Sequence, residues 1–155
     1  MEARVEERTR QAQAQGVPLQ HLPALAAGKV VVAERCFLST AVYQLLAAEH
    51  AEASGMDLRW FEDLTRRVHG DCLPDAVYLL DLPAEVSARR RDRREAPQDR
   101  IEARSTEYHA RVRDGYLQAA KREPRAQVID VDRSFDDVQQ ELRAHVAALT
   151  SRGRS

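Results

Sequence analysis

The sequence predicts an α/β domain built on a parallel sheet, and three observations carry that prediction. Short runs rich in Val, Ile and Leu at 29–34, 75–81 and 126–131 read as strands buried on both faces. Stretches of good helix formers follow each run, bounded by Gly, Pro and capping residues. Strand and helix therefore alternate, which calls for parallel strands joined by right-handed crossovers. The 155 residues suit a single domain over 1–155, with no internal repeat and no low-complexity linker.

Residues 1–15 are polar and rich in Glu, Arg and Gln, so 1–22 is expected to be a helical or frayed N-terminal segment. A short apolar run, Leu22–Ala27, ends at Gly28. Lys29-Val30-Val31-Val32-Ala33 is then the first strand. Ser39 suits the N-cap of a helix over 39–53, which Gly55 stops. A second helix covers 57–68 and ends at Gly70, with Trp60 and Phe61 assigned to the core. Asp75–Asp81 is the second strand, closed by Leu82-Pro83. An arginine-rich helix over 84–95 is interrupted by Pro97, and a long helix over 101–123 follows. Ala126–Val131 is the third strand, and Ser134 caps a last helix reaching Leu149.

Composition narrows the function. The 24 basic and 25 acidic side chains leave a formal net charge of −1, whereas a dedicated nucleic-acid binder would be clearly basic. No apolar run is long enough for a membrane span, and MEARVEERTR lacks the apolar centre of a secretory signal. Cys36 and Cys72 form no C-x-x-C pair and suggest no disulfide framework. A cytoplasmic protein is the expectation. Only Lys29 and Lys121 are lysines, so lysine chemistry has two candidates.

Two features could carry chemistry. In open parallel sheets, ligands bind beyond the carboxyl ends of the strands, which is where Glu34-Arg35 falls. The guanidinium can grip phosphate oxygens bidentately, and the acid can face a metal or a hydroxyl. A surface ion pair is the alternative reading. The second feature is Arg89-Arg90-Arg91-Asp92-Arg93-Arg94, followed by Pro97 and Asp99-Arg100. No aromatic residue lies within the run to stack on bases. It reads either as a solvated helix face or as a mobile cluster closing over a transferring phosphoryl group.

Other chemistries lack their motifs. Gly28-Lys29 is not a phosphate-binding loop: Pro23 stands at the first Gly position of G-x-x-x-x-G-K-[ST], and Val30 replaces the Ser/Thr. The five histidines show no metal-ligand spacing, and no G-x-S-x-G elbow is present.

Taken together, residues 23–149 resemble bacterial thymidylate kinase. The family's Asp-Arg-Tyr strand end and Ser-Thr-x-x-Tyr-Gln read here as Glu34-Arg35-Cys36 and Ser39-Thr40-Ala41-Val42-Tyr43-Gln44. Pro23–Val32 is similar to the family's helix-to-strand passage, and Leu73–Val86 to its fourth strand and following helix. The arginine run with Asp99-Arg100-Ile101-Glu102 resembles its lid and lid exit. Tyr108, Arg111, Arg113 and Tyr116 continue that helix, and Val128-Ile129-Asp130 the last strand.

The resemblance implies ATP with Mg²⁺ and dTMP as ligands, and a homodimer through the 39–68 helices. It implies that Arg35 holds the dTMP phosphate and that Glu34 is the acid near the phosphates and the metal. Thr40 and Gln44, with Ser39 beside them, would meet the thymine, and Tyr43 the deoxyribose. In a lid over 87–100, Arg90 and Arg94 would stabilise the transferring phosphoryl, with Arg89, Arg93 and Arg100 on ATP. The implied fold is the three-layer parallel sheet of the P-loop nucleoside monophosphate kinases. Its first strand, P-loop and second strand find no counterpart in residues 1–22. An incomplete gene product, inactive alone, is the expectation. A non-catalytic kinase-derived subunit and a deoxynucleoside kinase relative are the alternatives.

Overall fold

A computed structural model describes residues 22–47, 57–70, 73–93, 101 and 104–152. The chain divides into two compact units, Met1–Pro74 and Asp75–Ser155.

In the first unit, the short helix α1 (Leu22–Ala26) ends at Gly28, whose φ of 71° suits a residue without a Cβ. The predicted strand over Lys29–Ala33 does not form. Val30 is 64% exposed and Val32 89%, and no strand among the described residues pairs with them. A valine run gains its β preference from a neighbouring strand and from burial, and here it has neither. The next helix also starts earlier than expected. α2 (Phe37–Ala41) has Cys36 as its N-cap, without a side-chain capping bond, and Ser39 lies in its first turn. Its path continues as a π-helical turn over Val42–Leu46, with Ala47 N–H donating to the Val42 carbonyl five residues back at 2.8 Å. The remainder of the predicted 39–53 helix lies outside the described residues. Leu38, Ala41, Val42 and Leu45 bury one side of this path. α3 (Leu58–His69) follows the sequence expectation within a residue at each end: the Asp57 carboxylate accepts from Trp60 N–H at 2.7 Å, and Gly70 closes the helix. Trp60 itself is 49% exposed, against the expectation of a core residue. The ring of His69 packs 6.0 Å from that of Phe37, which ties α3 to α2.

The second unit holds the sheet. β1 (Val77–Asp81) and β2 (Ala126–Asp130) pair in parallel, from Val77 opposite Ala126 to Asp81 opposite Asp130. A parallel pair needs a long crossover, and α4 (Ala84–Asp92) with α5 (Thr106–Arg122) supplies it. α5 starts five residues later than expected because the Ser105 hydroxyl accepts from Tyr108 N–H and fixes the first turn there. α6 (Phe135–Arg152) begins at Ser134, whose hydroxyl accepts from Asp137 N–H. Tyr78 and Asp81 point to opposite faces of β1, since successive strand residues alternate. Asp81 meets Arg113 of α5, and Tyr78 lies 5.7 Å from the His145 ring of α6. Helices therefore cover both faces. Ile129 is 2% exposed and, with Val112, Ala119, Ala120 and Val138, forms the core of this unit.

Candidate functional site

The turn at Glu34-Arg35 is the sharpest local feature of the first unit. Arg35 has a φ of 66°, and no other non-glycine residue among the described ones has a positive φ. An L-residue there costs about 1 kcal/mol through the clash of its Cβ with the backbone, and such outliers concentrate at functional sites. The conformation reverses the chain between the extended Lys29–Ala33 and α2. It carries the Arg35 guanidinium to 5.8 Å from the centre of the Tyr43 ring. Two predicted site residues eight positions apart are thus brought together. Tyr43 is half-buried in the π-helical turn, a feature that often marks functional sites. Thr40 and Gln44 are exposed, and Ser39 is half-buried. Ala41, Val42 and Leu45 between and beside them are buried, so the packing fixes the segment that presents them.

Glu34 is exposed and makes no ion pair among the described residues. No group of three or more His, Cys, Asp or Glu among the described residues could hold a metal by itself.

The arginine run lies in the second unit, on the last turns of α4. Arg89, Arg90 and Arg93 are exposed, whereas Arg94 and Arg100 lie outside the described residues. Arg91 donates to the Ser87 hydroxyl at 2.8 Å. Arg90 donates to the Val131 carbonyl at 3.2 Å, in the loop after β2.

One feature of this unit was not singled out from sequence. The Asp81 carboxylate accepts two bonds from Arg113, at 2.7 and 2.9 Å. This bidentate pair closes the carboxyl end of β1 against α5 and holds the Asp81 pKa below the usual aspartate value, the hydrogen bonds to Arg113 outweighing burial. Reciprocally, Arg113 holds its proton more tightly. The available signal was an acid at the carboxyl end of a buried-type strand, which needs a partner when its neighbours are covered. A second cluster opens α5, with the Arg104 and Arg111 guanidinium carbons 5.0 and 5.9 Å from the Tyr108 ring centre.

Comparison with known proteins gives the family. The thymidylate kinase family model matches residues 9–142, beginning earlier than the resemblance read from motifs. A thymidylate kinase of Symbiobacterium thermophilum is 39% identical over 131 residues, covering 84% of this chain and 58% of the relative. One from Marinomonas is 35% identical over 136 residues, covering 84% and 61%, and one from Chlamydia muridarum 38% over 122 residues, covering 77% and 57%. The chain thus spans 57% to 61% of the length of these relatives. With Arg35, the Ser-Thr-x-x-Tyr-Gln segment and the arginine helix all inside the matched range, the chain belongs to the thymidylate kinase family.

Proposed function

We propose that this chain carries the monophosphate-binding turn and the arginine lid of a dTMP kinase, which transfers the γ-phosphoryl of ATP to dTMP to give dTDP. The observation that carries the reading is the left-handed Arg35, with its guanidinium beside Tyr43 at the head of α2. An arginine held in a strained turn at a helix start suits a phosphate bound bidentately. Thr40 and Gln44 are exposed one turn apart, as residues reading a thymine edge must be. Tyr43, half-buried, offers a ring for the deoxyribose, with Ser39 beside it. Mg²⁺ bound with ATP neutralises phosphate charge, and Glu34 would hold it. Arginines of the 87–100 lid, among Arg89, Arg90, Arg93, Arg94 and Arg100, would supply charge to the transferring group, since phosphoryl transfer rests on positioning and electrostatics.

The P-loop motif has no match in the sequence, and its backbone donors and lysine are worth a few kcal/mol each where they occur. The cytoplasm is the expected location. Exposed Trp60 and Leu64, four residues apart on α3, support a homodimer contact within 39–68.

The test is the ³¹P resonance of dTMP titrated with the purified chain. A shift that saturates, is absent with Arg35→Ala and is relieved by excess thymidine supports the reading. An unchanged resonance overturns it.

A further inference from the structure

The head of α2 is fixed without a side-chain cap. Cys36 takes the N-cap position with no capping bond, directly after Arg35 with its positive φ. A five-residue helix with open N–H groups at its start frays unless a contact from outside holds its first turn. α3 supplies such a contact. The ring of Phe37, the first residue of α2, lies 6.0 Å from the His69 ring at an interplanar angle of 59°, a separation and tilt at which aromatic rings attract.

His69 is itself held in place. Its Nδ1 lies 3.0 Å from the Thr65 carbonyl one turn back, and a carbonyl can only accept, so Nδ1 carries the proton. Thr65 is 6% exposed, so the bond anchors the imidazole to the packed side of α3. A continuous path therefore runs from Thr65 through the His69 and Phe37 rings to the backbone just after Arg35. The 5.8 Å approach of the Arg35 guanidinium to the Tyr43 ring needs both ends of this segment fixed. Buried Ala41, Val42 and Leu45 fix the far end, and the His69 ring fixes the near one.

We propose that His69 is a positioning residue for Arg35: its ring, set by Thr65 and packed on Phe37, holds the first turn of α2 and with it the left-handed turn that aims the guanidinium. The inference rests on the reading of Arg35 as the phosphate ligand, and it gives α3 a part in that site through Phe37 alone.

The test uses the full chain, hydrogen exchange for the turn and calorimetry with dTMP and thymidine for the site. Ser39 N–H donates to the Cys36 carbonyl at 2.9 Å and reports the first turn of α2, while Trp60 N–H on its Asp57 cap reports the far end of α3. His69→Ala is expected to speed Ser39 exchange about two- to tenfold, the range of an aromatic pair, with Trp60 exchange unchanged. It should weaken dTMP by the same factor and leave thymidine, which lacks the phosphate, within about twofold. His69→Phe keeps a ring on Phe37 and should restore both. His69→Asn keeps a donor for the Thr65 carbonyl but no ring, and should behave as His69→Ala does. Ser39 exchange unmoved in His69→Ala would overturn the assignment. So would equal weakening of dTMP and thymidine, since a merely structural role does not single out the phosphate. If the unsubstituted chain binds no dTMP, the reading of Arg35 fails, and Ser39 exchange alone decides whether His69 holds the turn.

Discussion

Arg35 places a bulky side chain where glycine is the comfortable residue. Arg35→Gly therefore separates structure from binding. It relieves the left-handed strain while adding backbone freedom to the unfolded chain, so stability should change by no more than about 1 kcal/mol. Affinity for dTMP should nevertheless fall at least about tenfold, as expected when a charged phosphate contact is removed. Parallel urea titration and ligand binding check both halves. Asp81 supplies a pH prediction. Its pKa is lowered in the folded chain, so the pair with Arg113 contributes fully above the unfolded aspartate value of about 3.9 and is lost as pH falls through the lower folded value. Asp81→Asn should cost about 1–3 kcal/mol near neutral pH and much less at about pH 2, read from urea midpoints at both. The Glu34-Arg35 dipeptide stood out in the sequence as the end of a strand that does not form, and the positive φ of Arg35 was not legible, because one dihedral depends on how the turn closes. The Asp81–Arg113 pair joins residues 32 apart, a distance over which no local pattern speaks.

At the scale of elements, boundaries were legible where a side chain performs the capping. Asp57, Gly70 and Ser134 each end or begin a helix close to where the sequence places it. Ser105, overlooked in favour of a longer helix from 101, does the same for α5, and Ser105→Ala should destabilise the chain by about 1 kcal/mol in the urea midpoint. Ser39 misled for a related reason. Capping residues also occur inside first turns, and the extended Cys36 just upstream already opens α2. β1 and β2 were legible because each has the other as partner. The valine run at 29–33 has no such partner among the described residues, and Val30 and Val32 stay exposed. Strand propensity is a property of a pair, and sequence shows only one member at a time.

At the scale of the molecule, family membership and the share of each relative covered bear on function together. The motifs for the monophosphate and for the lid lie within the chain, and the P-loop motif does not. Apolar surface remains on the sheet, with Leu80 53% and Val128 48% exposed, as expected where two strands among the described residues carry faces patterned for burial. We propose that the dTMP site is nonetheless assembled in residues 34–44. Calorimetric titration of the purified chain with dTMP, against dCMP and ribothymidine monophosphate, tests it most directly. The account predicts saturable heat with dTMP and at least about tenfold, or roughly 1.4 kcal/mol, weaker binding of both controls. Equal binding of the three, or no heat with any, would contradict it and leave the family resemblance as a record of ancestry.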